Sequence, residues 1–339
     1  MSDSCPSTTD CKVAVITGGN AGIGLALAER LLTADQTVRV CLACRNMTKA
    51  DAAQKALQLS HPGSHVDTLK IDVSDVQSVY NAADELKERY SRIDYLYFNA
   101  GIMPNPSVDW GNFFRGLFST KVVHMISTGE GLLMQQDSTT KDGLRAVFTT
   151  NVFGHFVLLK ELEDLLSKQS RPATVVWTSS SNAKKAAFSL DDIQHENGYE
   201  PYASSKYAVD LLSIAINQEL NSKGIYNHVT NPGLVMTNMT NNIMPSWFWS
   251  LFIPILILFR IVSPTMTLSP YNGAECLFWF FNKDPSKIDV DKKYHSSATV
   301  LGNRFLRQEK LTYEKDVPMQ LYKKLVAMEQ TYRRKYKRD

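Results

Sequence analysis

The chain alternates between short apolar runs and longer stretches in which apolar residues recur at helical spacing. The apolar runs predict strands at Val13–Ile16, Val38–Cys44, Val66–Ile71, Tyr95–Phe98, Thr174–Thr178 and Tyr226–Thr230. The amphipathic stretches predict helices at Ile23–Leu32, Lys49–Leu59, Val76–Tyr90, Leu144–Leu166 and Tyr202–Leu220. Strands that alternate with helices of this length form a parallel sheet covered on both faces. The pattern therefore predicts a doubly wound α/β fold.

Two apolar segments interrupt this alternation, at 103–140 and 243–262. Segment 103–140 is longer than an ordinary connection, and long loops within a compact domain are usually functional. Segment 243–262 is apolar on nearly all sides and contains Trp247 and Trp249. It fits a helix buried beside a substrate cavity, an interfacial helix on a membrane surface, or a helix that spans a bilayer.

The chain that follows segment 243–262 bears on this choice. Residues 272–281 are predicted to pack on the sheet, and a further strand is predicted near Lys293–His295. A membrane span would separate both from the rest of their own domain. We therefore favour monotopic attachment, with Trp247 and Trp249 at the level of the lipid headgroups. The predicted division is a polar extension at 1–11, a single domain at 12–310, and a C-terminal helix with a basic tail at 311–339.

Composition narrows the class of protein. The 339 residues carry a net charge of +3, which is too small to indicate nucleic-acid binding. The five cysteines do not form a disulfide framework in a chain of this length. Cys41 and Cys44 should point to opposite faces of one strand, so we expect buried thiols and a reducing compartment. No metal site is predicted.

A glycine-rich turn directly follows the first predicted strand, and it consists of Thr17, Gly18, Gly19, Asn20, Ala21, Gly22, Ile23 and Gly24. Glycine allows the backbone to turn tightly and to approach a pyrophosphate without a Cβ in the way. The helix that begins near Gly22 presents unpaired N–H groups and the positive end of its dipole to an anion. The turn therefore predicts a dinucleotide phosphate site.

Tyr202 and Lys206 open the last of the predicted helices. At positions i and i+4 they share one face of the helix. An ammonium beside a phenol favours the phenolate, so we expect the pKa of Tyr202 to fall from about 10 toward neutrality. Tyr202 is thus predicted to be a proton donor at physiological pH.

The motifs taken in order resemble those of the short-chain dehydrogenase/reductase family. The resemblance covers roughly residues 12–235 and rests on the glycine turn, Asn99-Ala100-Gly101, Asn151, the serines that close Val175–Ser181, Tyr202-x-x-x-Lys206 and Asn231-Pro232-Gly233. It implies a Rossmann-type fold. Within the family, Phe98–Pro106, Asn151–Phe156 and Pro270–Gly273 are similar to the branch that reduces sterol ketones.

The resemblance also implies a role for each matching residue. Tyr202 would protonate the carbonyl oxygen, and Lys206 would lower the pKa of the tyrosine and hold the nicotinamide ribose. The remaining matches are Asn151 for a bound water, Asn99 for bracing the fourth strand within Asn99-Ala100-Gly101, Asp72 and Val73 for the adenine, and Pro232, Gly233 and Thr237 for the nicotinamide and its phosphate. As alternatives, Asn151 would cross-link a helix and Asp72 would cap one.

Two serines are candidates for the residue that binds the carbonyl of the substrate. The family's serine often precedes the tyrosine by 13 residues, and that spacing selects Ser189. The end of the predicted strand at Thr174–Thr178 selects Ser180 instead, because α/β sites lie at the carboxyl edge of the sheet. We favour Ser180 and predict that Ser189 caps a helix.

The residues after the second strand predict the cofactor. Enzymes that use NAD usually place a carboxylate there to bind the ribose 2′-hydroxyl. This chain has Arg45, with no acid until Asp51. An arginine fork suits a 2′-phosphate, so NADPH is predicted; a solvated surface arginine is the alternative.

The sequence as a whole predicts a reductase of sterol or steroid ketones that is attached to the cytosolic face of the endoplasmic reticulum membrane. A retinoid reductase and a non-catalytic cofactor-binding scaffold are the alternatives. The resemblance further implies a homodimer through the helices around Leu144–Leu166 and Tyr202–Leu220. The basic run 333–338 is expected near anionic lipid.

Overall fold

The computed structural model describes residues 11–104, 107–108, 111, 115, 133–237, 253–254 and 256–338. Its strands are β1 (Val13–Thr17), β2 (Arg39–Cys44), β3 (His65–Lys70), β4 (Tyr95–Phe98), β5 (Ser107–Val108), β6 (Leu133–Met134), β7 (Ala173–Thr178), β8 (Ile225–Asn231), β9 (Lys292–Ala298) and β10 (Arg304–Lys310). Its α-helices are α1 (Gly22–Ala34), α2 (Met47–Ser60), α3 (Val76–Arg89), α4 (Ala146–Phe148), α5 (Gly154–Lys168), α6 (Pro201–Leu220), α7 (Pro270–Gly273), α8 (Glu275–Phe278) and α9 (Val317–Lys335).

Eight strands form one sheet in the order β10-β9-β8-β7-β4-β1-β2-β3. All neighbours are parallel except β9 and β10, which are antiparallel. The six strands predicted from apolar runs are confirmed within two residues at each end, and the further strand near Lys293–His295 is confirmed as the longer β9. β10 was not predicted, because its sequence RFLRQEK contains no apolar run and most of its residues are exposed. A polar strand of this kind protects an edge from pairing with another chain.

Helices cover both faces of the sheet, which confirms the doubly wound fold. Cys41 belongs to the core beneath α3, α5 and α6, whereas Cys44 belongs to the core beneath α1 and α2. Burial raises the pKa of the Cys41 thiol to about 12 and that of the Cys44 thiol to about 11. The two buried thiols are as predicted.

The helix predicted over Leu144–Leu166 is interrupted. A π-helical turn at Thr149–Phe153 separates α4 from α5, and Asn151 lies within it. π-turns are rare and occur often at functional sites. Periodicity could not predict the interruption, because every residue of the turn is buried and the apolar pattern continues across it.

The C-terminal helix α9 covers α5 and α6. Leu321 and Leu325 are fully buried there, and the ring of Tyr322 contacts that of Phe156 at 5.6 Å between centroids. In α6 only Gln218 and Glu219 remain exposed. The apolar surface on which a homodimer was predicted is therefore covered by the chain's own helix, and the homodimer itself stays a prediction.

Part of the basic tail pairs with acidic residues elsewhere in the domain. Arg333 donates to the buried carboxylate of Glu161 at 2.5 Å, and Arg338 donates to Asp84 at 2.5 Å. Lys335 pairs with Asp142 at 3.3 Å. These groups were predicted to face anionic lipid, but their charges are neutralised within the domain.

The two inserted segments are described only in part. β5 and β6 form an antiparallel pair within segment 103–140. Within segment 243–262, Trp247 and Trp249 lie outside the described residues. α7 and α8 pack on the sheet as predicted for residues 272–281, with Cys276 and Leu277 fully buried. Across the described ranges, no helix is both long enough and apolar enough to cross a membrane.

Candidate active site

The glycine turn forms a cradle between β1 and α1. Gly18 has a φ of +67°, which is strained for any residue with a side chain. A Cβ on Gly24 would lie 2.5 Å from the carbonyl oxygen of Gly18. No side chain caps the N-terminus of α1, whereas Asn46 and Asp75 cap α2 and α3. The N–H groups at the start of α1 have no side-chain cap, and the glycines leave room for an anion to approach the backbone. Both features fit the pyrophosphate of a dinucleotide.

A hydrogen-bond network ties this turn to the end of β4. The hydroxyl of Thr17 accepts the N–H groups of Asn99 and Ala100, both at 3.0 Å. The amide of Asn99 donates in return to the Thr17 carbonyl at 3.0 Å. Asn99 thus ties β4 to the glycine turn, and its bracing of the fourth strand against the cofactor stays a prediction. His155 was not predicted, yet its Nε2 lies 3.0 Å from the Thr17 hydroxyl.

The predicted adenine side lies at the ends of β2 and β3. The side chain of Arg45 is 73% exposed, with its guanidinium 3.9 Å from the carboxylate of Asp72. Asp72 accepts hydrogen bonds from the backbone and hydroxyl of Ser74, while Asp75 caps α3. A Cβ on Gly154 would lie 2.0 Å from the Val73 carbonyl oxygen, so this glycine allows α5 to approach the site.

The predicted nicotinamide side lies after β8. Gly233 has a φ of +77°, and its N–H donates to the side chain of Asn231 at 3.0 Å. The carbonyl of Pro232 accepts the hydroxyl of Thr267 at 2.8 Å. A Cβ on Gly22 would lie 3.4 Å from the Thr237 methyl group. The loop after β8 therefore lies against the glycine turn, which places the predicted nicotinamide side next to the predicted pyrophosphate site.

Ser180 and Tyr202 lie together at the carboxyl edge of the sheet, where the Ser180 hydroxyl acts to lower the pKa of Tyr202. Tyr202 lies in the first turn of α6, and its backbone N–H donates to the side chain of Gln135 at 3.1 Å. Gln135 was not predicted, since it belongs to the long insertion. Ser189 is exposed and accepts the N–H of Asp191 at 3.2 Å within a turn, so the predicted helix cap is wrong.

Lys206 and Asn151 lie on either side of Gly101. A Cβ on Gly101 would be 3.1 Å from the Asn151 oxygen and 3.4 Å from the Lys206 ammonium. Lys206 donates to the carbonyl of Thr178 at 2.8 Å. Asn151 donates one amide proton to the Ile102 carbonyl and the other to the Ser205 hydroxyl, both at 3.0 Å. Its amide thus cross-links α6 to the chain that follows β4.

Burial governs the protonation of the two central groups. It raises the pKa of Tyr202, and the neighbouring Ser180 hydroxyl offsets only part of that rise. Burial and then the positive charge of Lys293 lower the pKa of Lys206 to about 8, while Asp210 acts in the opposite direction. The prediction that Lys206 lowers the pKa of Tyr202 is therefore wrong for this structure. Lys206 binds a carbonyl, and its ammonium lies 5.5 Å from the centre of the Tyr202 ring.

Comparisons with known proteins agree with this geometry. A family model described as short chain dehydrogenase matches residues 12–246. The 3-keto-steroid reductase/17-beta-hydroxysteroid dehydrogenase 7 of Rattus norvegicus is 50% identical, over 95% of this chain and 96% of its own length. The protein of the same name from Homo sapiens is 48% identical, over 95% of this chain and 94% of its own length.

A solved structure shares the fold. The L-sorbose reductase of Gluconobacter frateurii, crystallised with NADPH and L-sorbose, superposes with a TM-score of 0.57. The match covers 83% of this chain and 94% of that one at 18% identity. At that identity the likeness concerns the fold alone.

Proposed function

Because the chain belongs to the short-chain dehydrogenase family, we propose that it reduces a sterol or steroid ketone to the alcohol with NADPH. The observation that carries the chemistry is the placement of Ser180 beside Tyr202 at the carboxyl edge of the sheet, with Lys206 one turn further along α6. The support for the substrate is the similarity, over nearly the whole chain, to proteins named 3-keto-steroid reductase.

In this mechanism the nicotinamide supplies the hydride to the carbonyl carbon. The hydroxyls of Ser180 and Tyr202 bind the carbonyl oxygen, and Tyr202 donates its proton as negative charge develops there. The raised pKa of Tyr202 keeps the phenol protonated at neutral pH, which is the form that reduction requires. Lys206, whose ammonium lies 5.5 Å from the centre of the Tyr202 ring, would hold the nicotinamide ribose.

The function is tested with the full chain in detergent micelles, NADPH and three carbonyl compounds. Zymosterone carries its ketone at C3, estrone carries it at C17, and retinal represents the retinoid alternative. We expect alcohol formation from a steroid ketone in step with NADPH consumption, measured by mass spectrometry and absorbance. Reduction of retinal alone would favour the retinoid reductase, and cofactor binding without turnover of any ketone would favour the scaffold.

We propose NADPH over NADH because Arg45 is exposed at the end of β2. The ammonium of Lys70 donates to the Arg45 carbonyl at 2.7 Å, which places a second positive charge beside the end of β2. A guanidinium suits a 2′-phosphate, which it can bind through two hydrogen bonds.

Arg45→Asp is expected to reduce the preference for NADPH by about 10- to 100-fold, because hydrogen bonds to charged groups contribute about 1.5–3 kcal/mol. The measurement is the ratio of kcat/KM for NADPH to that for NADH. Lys49→Asp is the control, since it makes the same change of charge at an exposed position four residues away. An unchanged ratio in the Arg45 variant would contradict the assignment.

We also propose that the protein attaches to the cytosolic face of the endoplasmic reticulum membrane through segment 243–262. In the described part of this segment, Leu256 and Arg260 face inward, and Arg260 donates to the Met266 carbonyl at 2.7 Å. Leu258 and Ile261 are 61% and 71% exposed. An exposed apolar face beside a buried one is typical of a helix that lies on a membrane surface.

Leu258→Glu combined with Ile261→Glu is expected to weaken binding to phospholipid vesicles by more than about tenfold, because burying one such side chain contributes about 1.5–3 kcal/mol. Co-sedimentation with vesicles is the measurement. Leu59→Glu combined with Leu301→Glu is the control, since both leucines are exposed elsewhere. Equal loss of binding in the two double variants would contradict the attachment site. Protease cleavage of tags at both termini in intact microsomes would support monotopic attachment over a span.

A further inference from the structure

Lys293 lies buried behind the active site on β9. Its ammonium donates to the Ser180 carbonyl at 2.7 Å and to the Asp210 carboxylate at 2.8 Å. Lysine is seldom buried unless it is paired, and Lys293 is only 7% exposed. The bond to Ser180 ties the last parallel strand of the sheet to the residue that would bind the carbonyl.

Asp210 connects this lysine to the catalytic helix. Tyr202, Lys206 and Asp210 follow one another at intervals of four residues, so they share one face of α6. The hydroxyl of Ser179 donates to the Lys206 carbonyl at 3.1 Å, which joins the chain before Ser180 to the same helix. Asp210 is 7% exposed and forms an ion pair with Lys293.

We propose that Lys293 and Asp210 are positioning residues, which together fix Ser180 relative to Tyr202 and Lys206. Neither group needs to touch the ketone, since both act through the backbone of Ser180 and along α6. This inference rests on the proposed ketone reduction. It adds a requirement for activity that none of the sequence motifs contains. Both Lys293 and Asp210 must be present beneath the site.

The pair also sets the electrostatic environment of Lys206. The charged or titratable groups that face Lys206 are Tyr202 and Asp210 on α6, Lys293 on β9 and His155 on α5. Burial lowers the pKa of His155 to about 3, so His155 is neutral. Lys293 lowers the pKa of Lys206 and Asp210 raises it, with the effect of Lys293 being the larger.

Removal of one partner therefore has a predictable sign. Asp210→Asn leaves the Lys293 charge uncompensated beside Lys206, so the pKa of Lys206 should fall further. Asp210→Asn combined with Lys293→Met removes both charges, so the pKa of Lys206 should equal or exceed the wild-type value. The double variant should also fold, because replacing both partners of a buried pair is often tolerated, whereas removing one is strongly destabilising.

The first measurement is the pH dependence of kcat/KM for ketone reduction at saturating NADPH. In wild type, the rate should fall above pH 8 as Lys206 loses its proton. This fall at high pH is the alkaline limb of the profile. In Asp210→Asn it should move to lower pH by about one pH unit, since a nearby charge shifts a pKa by about 1–3 pH units. The limb of the double variant should lie at or above that of wild type. Identical limbs in all three proteins would overturn the proposal.

The second measurement does not depend on turnover. Lys206 is titrated by NMR in protein with 13C-labelled lysine, and its resonance is assigned by its absence in Lys206→Arg. The order expected for the pKa of Lys206 is Asp210→Asn lowest, then wild type, then the double variant. If wild type reduces no ketone but this order holds, the proposed function fails and the charge coupling stands. If wild type reduces ketones and the order does not hold, the positioning role alone is overturned.

Controls come from a similar pair on the surface. Lys292 and Asp289 form an ion pair at 3.2 Å, with side chains 37% and 46% exposed. Lys292→Met and Asp289→Asn make the same chemical changes next to the buried pair without touching it. They should leave the alkaline limb and the titration of Lys206 at their wild-type positions. A shift of equal size in these variants would show that net charge, rather than the buried pair, is responsible.

Discussion

Replacement of Tyr202 by Phe is expected to lower the rate of ketone reduction by about 10²- to 10⁴-fold, the usual contribution of a positioned general acid. The change removes a single oxygen. The ring keeps its place at the start of α6. The groups that would hold the dinucleotide are all retained, since they are the glycine turn, Arg45, Lys206 and the loop after β8. NADPH should therefore bind with unchanged affinity, measured by the enhancement of its fluorescence.

Tyr207→Phe is the matched control for this experiment. Tyr207 lies on the same helix, is buried, and donates its hydroxyl to the Thr312 carbonyl at 3.2 Å, away from Ser180. Its loss should cost a single hydrogen bond, about 1 kcal/mol of stability, and leave kcat unchanged. If Tyr202→Phe retained more than about a tenth of the wild-type rate, Tyr202 would not be the acid.

The sequence was most informative where burial on both faces of a sheet leaves an unbroken apolar run. The predicted strands at Val13–Ile16 and Tyr95–Phe98, for example, occupy the centre of the sheet and are buried throughout. The glycine turn was also predictable, because glycine adopts a positive φ such as that of Gly18 without strain, and a run of glycines after a strand is visible in the sequence. The spacing of Tyr202 and Lys206 predicted a shared helical face, and α6 begins at Pro201.

What the sequence could not predict depends on contacts between distant residues. Lys293 and Asp210 are 83 positions apart, and neither belongs to a motif. The pKa of Tyr202 is raised because the residue is buried. The helical spacing indicates only that Lys206 is near Tyr202 and contains no information about burial. α9 carries an ordinary amphipathic pattern, which does not say that its apolar face covers α5 and α6. The sequence therefore could not predict that the final helix packs on the surface expected to form a dimer.

The second large expected effect on kcat comes from replacing the serine that binds the carbonyl oxygen, which we predict to be Ser180 and not Ser189. Ser180→Ala is expected to reduce kcat by about 10²- to 10³-fold, the cost of removing one donor to a developing oxyanion. Ser189→Ala is expected to leave kcat unchanged, since Ser189 is exposed and its hydroxyl accepts a local N–H from Asp191. The two substitutions are chemically identical, so the comparison tests position alone.

One structural effect must be separated from catalysis in Ser180→Ala. The Ser180 hydroxyl also accepts the N–H of Asn182 at 3.1 Å, so its loss leaves that donor without its partner and weakens the turn after β7. Thermal unfolding and NADPH affinity report this effect, and both should change little. Ser180→Thr keeps a hydroxyl at the same carbon and should recover much of the lost rate. A larger loss in Ser189→Ala than in Ser180→Ala would mean that the 13-residue spacing, and not the end of the strand, identifies the catalytic serine.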